Sequence, residues 1–203
     1  VDTIVQNRKE GPYRSIFDLA KKIDLRAANK KAFESLAFAG GFDCFEGTHR
    51  AQYFHMEGEG ITFLEKAIRY GSKFQENENS SQVSLFGETS EVQIAEPIVP
   101  PCEDWSTMEK LAKEKEVVGI YISGHPLDDY RFEMKHFCNV RLFQLKNLES
   151  LVGKSLTFGG IVTNVQYRTG KNGKDWAMFT LEGYDESHDF RIFNEEYLKF
   201  RHY

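Results

Sequence analysis

Apolar residues near the start of the chain recur at helical spacing. Phe17, Leu19, Ala20 and Ile23 mark one stripe, and Ala32, Phe33, Leu36 and Ala37 mark a second. Asn29 precedes the second stripe as an N-cap, and Gly40-Gly41 stops it. A third helix is expected to begin near Thr48, an N-cap residue type, and to carry Ala51, Tyr53 and Phe54. A fourth, over about Ile61 to Tyr70, places Ile61, Leu64, Ala67 and Ile68 on one face. From Gln75 to Asp104 the periodicity disappears. This stretch is rich in Asn, Ser and Glu, closes with "EPIVPP", and reads as a flexible acidic linker. After Trp105 a capped helix returns, with Ser106 and Glu109 as a capping box and an end near Gly119. From Ser155 the period changes to that of strands: "LTFGGIVTNVQYRT", "KDWAMFTLEG" and "HDFRIF", separated by "GKNGK" and "YDES". The fold class expected is α+β, a mainly helical domain followed by a β segment.

Charge sharpens this division. Residues 1–56 hold nine Lys/Arg against seven Asp/Glu, whereas 75–104 hold seven Asp/Glu and no Lys or Arg. The overall net charge of -5 argues against a chain that coats nucleic acid uniformly, but leaves room for local basic surfaces. No apolar run is long enough to span a bilayer, so no membrane partner is expected. The first residues lack both an initiator Met and a signal peptide's apolar region, and the chain reads as an excised piece of a longer protein. Cys44, Cys102 and Cys138 are widely spaced without a CxxC pair, which disfavours a disulfide framework or zinc site and fits the cytoplasm.

Four stretches carry candidate chemistry. Gln82-Val83-Ser84-Leu85-Phe86 puts an apolar pair in a polar, acidic context. It resembles the short peptide by which bacterial polymerases and repair proteins attach to the sliding clamp. In such a peptide Leu and Phe fill an apolar pocket while the Gln amide orients the chain. The second stretch, "DLRAANKKAFESLAFAGGFDCF", resembles a helix-hairpin-helix. There Gly40 and Gly41 would let backbone N–H groups approach a duplex phosphate, with Lys30, Lys31 and Arg50 around it. An Ala-Gly-Gly hairpin also serves simply to turn a chain, and adjacent glycines depart from the usual motif, which has an apolar residue between them. In the β segment, alternation places Ala177, Phe179 and Leu181 on one face and Trp176, Met178 and Thr180 on the other. Trp176 with Tyr167, Arg168, Lys171 and Lys174 forms a candidate single-stranded DNA surface of a truncated OB-fold, unless packing covers the indole. Finally, His125, Asp128 and Asp129 of "GHPLDD" could be imagined as metal ligands of a hydrolase. A Gly-His-Pro turn capped by Asp is the better reading, and no Ser or Cys sits in a nucleophile context.

Taken in order, "GPYRSIFDLAKKID", "NKKAFESLAFAGGFD", "HRAQ", "QVSLFG", "EKEVVGIYISGHPLDDY" and "GGIVTNVQYRTGKNGKDWAMFTLEGYDESHDFRIF" resemble the C-terminal region of the bacterial replicative C-family polymerases, the DNA polymerase III alpha subunits. The resemblance implies that residues 1–12 end a fingers domain, 13–150 form a clamp-binding domain with the 75–104 linker inside it, and 151–203 begin an OB domain. It implies as partners the sliding clamp, double-stranded primer-template DNA, single-stranded template DNA and other replicase subunits. It also implies a parent that adds deoxynucleotides by a two-metal mechanism, with Mg in a palm domain outside this chain. No cofactor and no catalysis are expected of the segment itself. The family's OB strand commonly continues Leu-Glu-Asp, where this chain has Gly183. A clamp-tethered repair factor built from the same modules is the alternative.

Overall fold

The structure, a computed structural model, describes residues 2–56, 58, 60–83 and 94–202. The chain divides into two compact units, Val1–Ser123 and Gly124–Tyr203, so the expected boundary at 150/151 falls inside the second.

The first unit is helical: α1 (Asp2–Arg8), α2 (Ile16–Lys22), α3 (Lys30–Phe38), α4 (Arg50–Phe54), α5 (Phe63–Val83) and α6 (Thr107–Val118). Local chemistry sets most of the starts. Ser15 accepts from the Asp18 N–H, and Asn29 accepts from the Ala32 N–H as its N-cap position requires. Ser106 and Glu109 form the reciprocal capping box, and Gly119, with φ +86°, closes α6 in the left-handed conformation. α4 begins one residue later than expected. Its N-cap is His49, because the Thr48 hydroxyl donates to the Phe45 carbonyl and also bonds the Tyr53 hydroxyl.

The largest difference lies in α5, which continues beyond Tyr70 to Val83. Its start resembles a capping box, with Thr62 and Glu65 exchanging hydrogen bonds. Its polar continuation is held from outside. The Gln75 amide donates to the carbonyls of Ala20, Lys21 and Ile23 at 3.0, 3.1 and 2.8 Å, satisfying groups that the end of α2 leaves unpaired. The helices enclose a core that includes Ile16, Leu19, Ile23, Phe33, Tyr53, Phe63 and Leu64, all at most 2% exposed. Each such side chain contributes roughly 1.5–3 kcal/mol of apolar burial.

Of the expected 75–104 linker, residues 75–83 are helical, and residues 94–104 have no regular secondary structure. These later residues follow the first unit closely. Ile94 and Val99 pack on its core, Glu96 pairs with Lys21 at 3.1 Å, and the Pro100 and Cys102 carbonyls meet the side chains of Gln52 and His49. Trp105 then stacks on Phe54 and Phe38.

The second unit opens with short turns and α7 (Arg131–His136), followed by 3-10 turns at Leu142–Lys146 and Leu148–Leu151. An antiparallel sheet in the order β1 (Ile161–Thr169), β2 (Asp175–Glu182), β3 (Ser187–Phe193) comes next, and α8 (Asn194–Phe200) ends it. β1 carries a bulge between Thr163 and Gln166, where Asn164 has φ +51°. Val140, Leu142, Leu145, Leu151 and Leu181 form the core, with Phe158, Phe179 and Phe190 against it. The whole is α+β, as the periodicities predict. Among the described residues no helix is long and apolar enough to cross a membrane.

Candidate nucleic-acid interface

The glycine hairpin is built differently from a phosphate cradle. α3 ends on Ala39, Gly40 takes φ +79°, and the Gly40 and Gly41 N–H groups donate to the carbonyls of Ala37 and Leu36, the latter at 2.7 Å. Both glycine donors are therefore used in capping α3. The space a Cβ would need at Gly40 is filled by the Arg50 guanidinium and the Asp43 carboxylate. Arg50 is 4% exposed, where the sequence suggested a phosphate contact. Its Nη2 donates to Asp43 at 2.6 Å and its Nη1 to Glu114 at 2.7 Å.

Glu114 is fully buried at the other side of this pair. Its second oxygen accepts from the Ile122 and Ser123 N–H groups at 2.6 and 2.9 Å. Burial alone would raise its pKa, but these donors and Arg50 outweigh it and hold the carboxyl down at about 2. Arg50 is thus an internal cation. Lys30 and Lys31 lie at the opposite end of α3, about 15 Å along the helix from Gly40. Lys30 and Lys31 are both exposed; Lys30 bonds Glu65 at 2.9 Å and approaches Glu34, which raises its pKa. The five residues expected to surround one phosphate are not brought together.

The sheet does assemble a surface. Arg168, Trp176 and Phe193 are cross-strand partners in one row, so their side chains share one face of β1, β2 and β3. The Arg168 guanidinium lies 6.0 Å from the Trp176 ring centre, and the Phe193 ring stacks beside the indole at 5.5 Å and 26°. The next row on this face is Gln166, Met178 and Arg191. Lys171 and Lys174 are exposed in the loop adjoining the first row, a turn closed by Gly170 donating to the Lys174 carbonyl. Tyr167 departs from expectation. It pairs with Ala177, on the opposite face, where its ring meets Tyr197 of α8 edge-on. Successive residues of a strand point to opposite sides, so Tyr167 and Arg168 cannot both flank Trp176. Sequence reading passed over Phe193 and Arg191, although alternation within "HDFRIF" separates them from Phe190 and Ile192.

Gln82 and Val83 are the last two residues of α5, and Ser84, Leu85 and Phe86 lie outside the described residues.

A helix-hairpin-helix family profile matches residues 1–53. The chain is 34% identical to the DNA polymerase III subunit alpha of Campylobacter jejuni across 95% of its length. It is 31% identical to that of Treponema pallidum across 95%, and 27% identical to that of Escherichia coli O157:H7 across its full length. The chain is similar to DNA polymerase III alpha subunits along nearly its whole length. It spans about a sixth of the length of these relatives, 15–17% of each. In this chain "GHPLDD" is a turn. The Asp128 carboxylate accepts from the His125 N–H at 2.8 Å and pairs with Arg131 at 2.9 Å, which lowers its pKa. The Leu127 carbonyl accepts from Tyr184. Among the described residues no cluster of three or more His, Cys, Asp or Glu is arranged to hold a metal.

Proposed function

We propose that this segment tethers a replicative DNA polymerase to its sliding clamp and guides template DNA, with the clamp contact made by Gln82, Val83, Ser84, Leu85 and Phe86. The carrying observation is the position of this peptide in a DNA polymerase III alpha relative, at the end of a helix anchored through Gln75 to the α2 carbonyls. Leu85 and Phe86 supply the apolar anchors and Gln82 an orienting amide. Each clamp contact of modest affinity then raises the effective concentration of the polymerase at its primer end. In the whole protein this serves template-directed nucleotide addition in the cytoplasm, alongside other replicase subunits, with Mg-dependent chemistry in a different domain.

DNA contact divides between the two units. The sheet face with Arg168, Trp176, Lys171 and Lys174 is read as the opening part of an OB-fold that holds single-stranded template by stacking and charge. Support comes from the indole and guanidinium sharing one open row. Duplex contact in the helical unit is assigned to the exposed end of α3, chiefly Lys31 with Lys30. The hairpin of Gly40 and Gly41 and the inward Arg50 shape the support beneath. Titration of the 203-residue chain against its cognate sliding clamp tests the tether directly. Saturable binding that Leu85→Ala with Phe86→Ala removes is expected, and binding indifferent to that double change would overturn the tether.

A further inference from the structure

Phe193 is 47% exposed and belongs to neither hydrophobic core. An aromatic ring left on an open sheet face calls for an occupant, because its burial would otherwise go unused. α8 packs on β2 and β3, and its Tyr197 meets Tyr167 on the face opposite Trp176. The side carrying Phe193 is therefore the side that helix leaves open. We propose that Phe193 and Arg191 extend the single-strand surface into a two-base site, one base stacking on Trp176 and its neighbour on Phe193. This rests on the reading of that face as a single-strand surface.

Charge complementarity identifies the occupant. Arg168 flanks Trp176 at one side of the aromatic row, and Arg191 follows Phe193 by one alternation on β3. Lys171 and Lys174 lie in the loop at the same end of the sheet. The carboxylates of this face stand further along the strands: Asp189, bonded to the Thr180 hydroxyl at 2.7 Å, and then Glu182. Cations therefore border the two rings on this face; of the acids near that end, Asp175 alternates to the opposite face, where it accepts from the Thr169 hydroxyl, and Glu195 and Glu196 belong to the first turn of α8. Rings able to stack on any base, bordered by cations for the backbone, suit single-stranded DNA, with little dependence on sequence. Arg191 reaches the row from the strand edge opposite Arg168, so the two guanidinium groups can neutralise phosphates on either side of the stacked bases.

The test uses the 203-residue chain at low salt with labelled oligothymidylate and with an abasic oligomer of the same length, read by anisotropy. Phe193→Ala and Phe193→Leu should each weaken oligothymidylate binding roughly tenfold, leave abasic binding unchanged, and be rescued by Phe193→Trp. The leucine variant keeps an apolar side chain and removes only the ring, so it separates stacking from folding. Arg191→Gln should weaken both oligomers and reduce the salt slope by about 0.7. If Trp176→Ala weakens oligothymidylate binding but Phe193→Leu does not, the two-base site is wrong and the single-strand surface stands. If Trp176→Ala also has no effect, that surface itself is wrong, and the rings cover a protein partner instead.

Discussion

Arg50 and Glu114 are joined by a 2.7 Å charge-assisted hydrogen bond with 4% and 0% of their surfaces exposed, although 64 positions separate them in sequence. This pair fastens α4 to α6, and through the second Glu114 oxygen it also holds the Ile122 and Ser123 amides. Removing one partner leaves a buried charge uncompensated. Arg50→Met is expected to cost about 3–5 kcal/mol in urea unfolding, and a loss below about 1 kcal/mol would contradict the arrangement.

The same pair predicts a pH response. The Glu114 carboxyl is depressed from its ordinary value of 4.5 to about 2 in the folded chain. A depressed acid contributes stability that is complete above its unfolded pKa and is lost as pH falls through the folded one. Stability should therefore decline between about pH 4.5 and pH 2, and Glu114→Gln should flatten that part of the profile. Thermal melts of both proteins across this range provide the measurement, and parallel profiles would remove Glu114 as the responsible group.

Gly71 gives a change of opposite sign to its usual effect. Alanine in a helix interior ordinarily stabilises by about 0.5–1 kcal/mol over glycine. At Gly71 an added Cβ would stand 2.5 Å from the Ala20 carbonyl oxygen and 2.7 Å from its carbon, both backbone atoms of α2. Gly71→Ala is expected to destabilise by about 1–3 kcal/mol through overpacking of α2 on α5. A raised urea midpoint would show that the two helices are not in close contact.

For duplex DNA, Lys31 should matter more than Lys30. Both are exposed on the first turn of α3, but Lys30 already faces Glu65 and Glu34. Lys31→Gln is expected to weaken duplex binding and lower its salt slope by about 1, with Lys30→Gln having the smaller effect. Equal effects, or none, in binding isotherms at several salt concentrations would remove α3 from the interface.

The clamp tether carries its own magnitude. Each large apolar side chain withdrawn from a pocket loses about 1.5–3 kcal/mol, so Leu85→Ala with Phe86→Ala should raise the clamp Kd by at least about a hundredfold. Gln82→Ala should cost less, since water replaces part of its hydrogen bonding. Calorimetric titration distinguishes the two, and a larger loss for Gln82→Ala would reverse the assigned roles.

What the sequence reveals here is what depends on near neighbours. The N-caps at Asn29 and Ser106 and the stop at Gly119 are all satisfied within a few residues, so their spacing is enough. α5 is different. Beyond Tyr70 its residues are mostly polar and carry no periodic stripe, and the groups that hold Gln75 belong to the end of α2 and its C-cap, more than 50 positions away. Arg50 looks like a cation for a ligand because Asp43 and Glu114 become its partners only after folding. On the sheet the order of residues itself carries the information. Alternation alone separates Tyr167 from Arg168 and places Phe193 with Trp176 once the register is known.

The contact between Gly40 and Arg50 bears on how this hairpin can change over evolutionary time. A side chain at position 40 would meet Arg50 Cζ at 2.7 Å and Asp43 at 2.9 Å, so lineages retaining the arginine should retain the glycine. Where the arginine is lost, the tightest contact goes with it and the Asp43 carboxylate and φ +79° remain, a backbone conformation that Asn or Asp accepts more readily than other side chains. Positions 40 and 50 should thus be inherited as a pair. In this lineage a glycine at the hairpin reports the presence of its own arginine.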